Sequence, residues 1–215
     1  MHRRYCITLR GEKGIVVRIL LILEVYGILG FKIHSDTDAM KKNIFLTGAP
    51  SSGKTTVIKK VIEGLKIPAN GFYTEEERIE GRRVGFLMKT LDGKGGYLAH
   101  EDIESEFHIR RYGVSIENIE NIAAPSITPR DKNIIILDEI GKMECFSEVF
   151  KKAAKTALDA PNIVIGTITF GGSDFILEVK KRRDIEIMEV TPQARDKMPH
   201  IILKKVSEIQ VPEAI

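Results

Sequence analysis

The stretch IFLTGAPSSGKTTVIKKVIEGL, residues 44–65, decides the fold. Its opening IFLT is a short apolar run that stops at Gly48, as a buried strand does before a turn. GAPSSGKT, residues 48–55, fits the phosphate-binding pattern G-x-x-x-x-G-K-[ST]. TTVIKKVIEGL, residues 55–65, puts Val57, Val61, Ile62 and Leu65 on one helical face with lysines on the other, and it ends before Pro68. Strand, glycine loop and helix stand in the order that phosphate binding requires. Gly48 and Gly53 let the backbone curl so that successive N–H groups and the helix N-terminus point at anionic oxygens. Lys54 then reaches the β- and γ-phosphates, and the Thr55 hydroxyl is a ligand for Mg²⁺.

The second half of such a site lies further along the chain. NIIILDE, residues 133–139, is continuously apolar up to two adjacent acids, the pattern of a parallel strand buried on both faces. Asp138 at its tip can hold Mg²⁺, and Glu139 can polarise a water aimed at a γ-phosphate. Two neighbouring acids at the end of an apolar strand are costly without a cation or water to solvate them. The gap between the two motifs leaves room for an extra strand between their strands.

Strands and helices alternate from Asn43 onward, which predicts an α/β fold with a mainly parallel central sheet flanked by helices, of the additional-strand, RecA-like type. GFYTEEER, RRVGFLMKTL and GYLAH, separated by Glu80-Gly81 and by a glycine-rich turn at 92–96, read as an antiparallel β-meander inserted near residues 71–100. A capped short helix is expected over 115–125 and another near 147–158. A strand at 162–170, a helix opened by Ser173 or Asp174, a strand at 184–190 and a final helix near 191–206 complete the domain, which spans 40–215.

Among 215 residues, 33 Lys and Arg oppose 30 Asp and Glu, giving a net charge of +3 with 43% apolar and 29% charged residues. That near balance lacks the basic excess of a protein held by nucleic-acid phosphates, so neither DNA nor RNA is an expected partner. Two cysteines, Cys6 and Cys145, make no disulfide framework or zinc spacing and suit a reducing, cytoplasmic location. Residues 1–39 differ in character. GIVVRILLILEVYGILGF, residues 14–31, carries Arg18 and Glu24 near its middle, which argues against a membrane span or a signal peptide. Two readings stay open there: an accessory amphipathic helix, or an over-extended start with Met40 as the true first residue.

Other side chains are secondary candidates. Thr167 and Thr169 close the strand after Asp138, where a hydroxyl can sense a γ-phosphate. Lys142, Arg182, Arg183 and Arg195 are candidates for a cationic finger in cis. His34, His100, His108 and His200 show no ligand spacing, and Cys145 has no histidine partner that would make it a nucleophile.

Taken together, GAPSSGKTT, GFYTEEER, GRRVGF, TLDGKGGYLAH, RRYGV, LDEIGKME and DIEIMEVTPQARD, in this order and spacing, resemble the Thep-type or cancer-related nucleoside-triphosphatases, a small phosphate-loop family. DEIGKME is the most specific of these segments, and the likeness runs from residue 43 to the C-terminus. The resemblance implies Mg²⁺-dependent hydrolysis of ATP, GTP, CTP and UTP to the diphosphate and phosphate with little choice of base, and a monomer is expected. It implies nucleotide contacts from Gly48, Ala49, Pro50, Ser51, Ser52, Gly53, Lys54 and Thr55. It implies further contacts from Leu137, Asp138, Glu139, Ile140, Gly141, Lys142, Met143 and Glu144, with Lys54 and Glu139 catalytic and Thr55 and Asp138 on the metal. The sequence departs from the family where Ala194 precedes Arg195, a position commonly held by Asn, and where Cys145 replaces an aliphatic residue.

Two other functions stay open on the residues alone. A nucleotide or polynucleotide kinase would need a water-excluding lid, for which Arg82-Arg83 and Arg110-Arg111 are candidates. A nucleotide-dependent switch or RNA-associated module would use hydrolysis as a timer.

Overall fold

A computed structural model describes residues 41–210 and three strands before them, and the chain divides at Met40 into two units. In the first unit β1 (Arg4–Arg10), β2 (Val16–Ile22) and β3 (Gly30–His34) form an antiparallel sheet in the order β1-β2-β3. Over the described residues of this unit, strands stand where one of the two open readings placed an amphipathic helix. VVRILLI is rich in β-branched residues, which fit a pleated strand better than a helix, and a short apolar run does not fix the period.

The second unit begins with β4 (Asn43–Thr47), α1 (Lys54–Gly64), β5 (Ala69–Ile79), β6 (Arg82–Thr90), β7 (Gly95–His100), β8 (His108–Ile109) and β9 (Tyr112–Val114). It continues with α2 (Ile116–Asn118), which runs through a π-helical turn (Ile119–Ala123) into α3 (Ala124–Ser126), and then β10 (Ile134–Ile140) and α4 (Glu148–Asp159). It closes with β11 (Val164–Ile168), α5 (Asp174–Lys180), β12 (Ile185–Glu189) and α6 (Met198–Gln210). One nine-stranded sheet holds the unit together in the order β12-β4-β11-β10-β5-β6-β7-β9-β8. Pairing is parallel from β12 to β5 and antiparallel from β5 onward.

β11 lies between β4 and β10, so the expected additional strand is present. The meander over 71–100 is also present, as an extension of the same sheet: β5 pairs with β10 on one side and opens the antiparallel wing on the other. Alternate residues of the parallel strands feed two cores. Ile44, Leu46, Ile134, Ile136 and Ile165 pack with Val57, Ile58 and Val61 of α1 and Ile202 of α6. Phe45, Ile135, Leu137 and Val164 pack on the opposite face with Phe150, Ala154 and Leu158 of α4 and Ile176 of α5. Burial on both faces is why these strands read as unbroken apolar runs. Cutting one of these isoleucines to Ala costs about 2–5 kcal/mol.

Helix ends follow their capping residues. Ser115 accepts a hydrogen bond from the Asn118 N–H, and Ser147 accepts one from the Phe150 N–H. The last helix starts at Met198, later than the expected 191–206. Pro199 has no N–H to give to a preceding turn, so it is accommodated only in the first turn of the helix. Residues 191–197 instead form successive tight turns, among them Arg195 N–H to Thr191 O at 2.9 Å. Among the described residues no helix is long and apolar enough to cross a membrane.

Candidate active site

β4 delivers the chain to Gly48, where φ is +152°, and the loop passes Ser51 at φ +60° and Gly53 at φ +97° before α1 begins at Lys54. A Cβ on Gly48 would lie 2.8 Å from Val190 O and 2.9 Å from Ser52 Oγ, so only glycine fits this turn. α1 has no side-chain cap and no acid in its first turn. Its leading N–H groups and the positive end of its dipole are thus left to an external anion. Lys54 Nζ reaches back across the loop, donating to Gly48 O at 3.1 Å and Ala49 O at 3.2 Å. Ala49, Pro50 and Ser51 form the exposed lip of the loop, and Ser52 Oγ is buried without a partner.

β10 brings the acids to the same place. Pairing of β10 with β11 steps from Leu137–Gly166 to Ile140–Ile168, so one extra residue is accommodated at Asp138 and Glu139. A bulge of this kind re-aims side chains at a sheet end. Asp138 is only 1% exposed. It accepts hydrogen bonds from Thr55 Oγ1 at 2.7 Å and from Thr167 Oγ1 at 2.5 Å. Glu139 Oε2 is 3.4 Å from Thr167 Oγ1. Glu144, 2% exposed, approaches from the turn after β10. A Cβ on Gly141 would sit 2.6 Å from Glu139 Oε1 and 2.7 Å from Glu144 Oε2, so the two carboxylates flank this glycine.

Burial raises all three carboxyls above their ordinary range. For Asp138 the hydroxyls of Thr167 and Thr55 oppose the shift without cancelling it. For Glu139 the neighbouring Asp138 adds to it, and for Glu144 the charge of Glu139 adds to it. A concentration of buried negative potential beside an anion-binding loop calls for a cation. Among the described residues no three His, Cys, Asp or Glu side chains form a ready metal cage. Mg²⁺ beside a phosphate chain is held by one or two protein oxygens with phosphates and waters completing its shell. Thr55 and Asp138 are the oxygens that fit.

The remaining expected residues distribute unevenly. Leu137 and Ile140 are fully buried in the core, Met143 packs against it, and Lys142 is exposed. Thr167 is buried against Asp138 and Glu139, whereas Thr169 donates its backbone N–H to Ile140 O at 3.3 Å. Arg182 is not brought to the site. It binds Asp184, Asp159 and Leu158 O beside the start of β12, at the strand ends opposite the phosphate loop, and Arg183 follows it, exposed. Arg195 lies against Gly53.

The arginines considered for a lid have partners within the antiparallel wing. Arg82 binds Glu101, Arg83 binds Glu76 and Tyr112, and Arg111 binds Arg83 O and Tyr112, while Arg110 is exposed. Cys145 is buried, and burial pushes its thiol up to about 12, which suits packing and not nucleophilic attack.

The family model described as NTPase matches residues 43–203. The nucleoside-triphosphatase THEP1 of Thermotoga sp. strain RQ2 is 39% identical over 162 residues, covering 74% of this chain and 92% of that protein. The human cancer-related nucleoside-triphosphatase is 37% identical over 182 residues, covering 76% of this chain and 96% of its own. The crystal structure of THEP1 from the hyperthermophile Aquifex aeolicus superimposes with a TM-score of 0.70 at 34% identity, covering 76% of this chain and 98% of that one. The solution structure of a human cancer-related nucleoside triphosphatase gives 0.65 at 35% identity, covering 77% and 97%. The chain belongs to the family of THEP1 and the cancer-related nucleoside-triphosphatases.

Proposed function

We propose that this protein hydrolyses nucleoside 5′-triphosphates to the diphosphate and phosphate with Mg²⁺, taking ATP, GTP, CTP and UTP alike. The observation that carries the reading is the Thr55–Asp138 hydrogen bond, which ties a phosphate loop to a buried acid with Glu139 next in line. The names of its relatives point to the same reaction class.

The loop N–H groups and the α1 N-terminus bind the phosphate chain. Lys54 exchanges its two loop carbonyls for β- and γ-phosphate oxygens. Thr55 and Asp138 hold Mg²⁺, which when bound draws negative charge off those oxygens. Glu139 orients a water for attack on the γ-phosphorus and accepts its proton, and Thr167 fixes the orientation of both acids. No side chain is needed as a nucleophile, because positioning and charge stabilisation supply the catalysis. We infer a monomer, since the groups in this scheme suffice within one chain, and a cytoplasmic location, supported by a sequence whose two cysteines make no disulfide framework.

The test is phosphate release from each of the four triphosphates, with and without Mg²⁺, in the presence and absence of nucleoside monophosphates. Mg²⁺-dependent release from all four, indifferent to the acceptor, is the expected result. Phosphate transferred to an acceptor would make the protein a kinase and overturn the reading.

A further inference from the structure

Arg195 stands against the phosphate loop on the side away from Glu139. Its Cδ lies 3.6 Å from the point a Cβ on Gly53 would occupy. The segment that carries it is joined to the loop: the Val190 N–H donates to Thr47 O at 2.8 Å, and Val190 O closes on Gly48. β12 leads into this segment and flanks β4 on one side, whereas β11 and then β10 flank it on the other. The Arg195 side chain is 51% exposed, and its one ion pair among the described residues is a 3.7 Å contact with its exposed neighbour Asp196. A guanidinium so weakly engaged at the rim of an anion-binding loop is open to a ligand.

The direction of the reaction decides which part of the ligand it meets. Attacking and leaving oxygens lie roughly in line on opposite sides of the γ-phosphorus. Water oriented by Glu139 enters from the β10 side, so the diphosphate, ribose and base extend toward β4 and β12, where Arg195 lies. Arg195 is therefore on the nucleoside side of the phosphate chain and not beside the transferred group.

We propose that Arg195 is the nucleoside-binding residue, its planar guanidinium serving as a platform on which the base stacks. Every base has a π-face, and an arginine plane stacks on it without reading donors or acceptors. Such a platform gives affinity with no choice among bases. The proposal rests on the nucleotide-hydrolysing reading above and adds the residue that holds the nucleoside.

The experiment compares full-length wild type, Arg195→Ala and Arg195→Lys in steady-state hydrolysis of ATP, GTP, CTP and UTP. Tripolyphosphate serves as a base-free competitor, and ATP binding is measured in parallel by calorimetry. Stacking predicts that KM rises about tenfold in both variants. The rise should appear with all four bases, with kcat within about twofold and tripolyphosphate inhibiting all three proteins equally. The unchanged tripolyphosphate constant also certifies that the variants are folded. Rescue of KM by Lys would mean a charge contact with the phosphate chain, a fall in kcat at constant KM would mean a finger on the transferred group, and unchanged constants would mean no role. Each of these overturns the proposal. A wild-type protein without turnover would instead count against the hydrolytic reading, and the ATP-binding comparison would still decide the role of Arg195.

Discussion

The Thr55 hydroxyl donates a 2.7 Å hydrogen bond to Asp138 across 83 positions of sequence. β4, which leads into the loop before Thr55, and β10, which carries Asp138, are not neighbours, since β11 runs between them, so the bond spans the top of the interposed strand. Thr167 at the end of β11 bonds the other oxygen of the same carboxylate, and the three side chains close a small polar circuit over the sheet.

That circuit predicts how Thr55 and Asp138 respond to substitution. Thr55→Ser keeps the hydroxyl and should stay within about threefold of wild-type turnover, whereas Asp138→Asn should lose about 100-fold or more by weakening the oxygen proposed to hold the metal. Phosphate release titrated against Mg²⁺ measures both. Equal loss in Thr55→Ser and Asp138→Asn would show that packing around the loop, and not the oxygen ligands, was disturbed.

Gly141 predicts a separable effect on chemistry. Its missing Cβ is the space into which Glu139 Oε1 and Glu144 Oε2 both extend, so Gly141→Ala must push at least one carboxylate aside. The displaced atoms are ends of flexible side chains, which keeps the stability cost low, but a shift of about 1 Å at the water-orienting group costs about 100-fold in rate. Nucleotide affinity should hold while kcat falls. An unchanged kcat would remove the position of Glu139 from the rate-determining geometry.

The elements that came through in the sequence are those where one physical requirement fixes several neighbouring residues. The phosphate loop needs glycines at Gly48 and Gly53 and a Lys-Thr pair at the helix start, and two-sided burial makes β10 apolar at every position before Asp138. The bulge at Asp138 and Glu139 is different, because it depends on how β10 meets β11 and no residue type marks it. Glu144 reads as one more charged turn residue in DEIGKME, and only the packing of the turn against β10 buries it. Arg182 and Arg195 look alike in a charged tail, yet the direction of β12 carries one to the strand starts and the other to the phosphate loop. The late start of α6 was recoverable from Pro199, and the strand character of VVRILLI from its β-branching.

Glu144 also predicts a pH dependence. Burial, with the Glu139 charge adding to it, holds its carboxyl well above its ordinary value of 4.5. The folded protein therefore keeps a proton that the unfolded chain releases. The stability this contributes is complete below the ordinary carboxylate value and is lost as pH rises through the raised one, at up to about 1.4 kcal/mol per pH unit. Glu144→Gln cannot ionise, so its Tm relative to wild type should climb from pH 4 to pH 9 in nucleotide-free protein. A difference independent of pH would mean that Glu144 titrates alike in both states.

The unit from Lys41 onward holds both cores and every residue of the candidate site. Lys42 belongs to it as well, donating to Leu158 O at 2.8 Å and Ala160 O at 2.7 Å at the end of α4. A chain started at Met40 should therefore fold, with turnover within about twofold of the full chain, whereas one started at Ile44 loses these ties and about 1–3 kcal/mol. Thermal unfolding and phosphate release of the two truncations measure this. Failure of the Met40 chain to fold would show that residues 1–39 are part of the working domain.

The most direct test of the account is the comparison of Glu139→Gln with wild type in phosphate release and nucleotide binding. The amide keeps the shape of the side chain but cannot accept the proton of the attacking water. The account predicts a loss of about 100-fold or more in kcat with ATP and Mg²⁺ still bound at wild-type affinity. Turnover at the wild-type rate would contradict it and take Glu139 out of the mechanism.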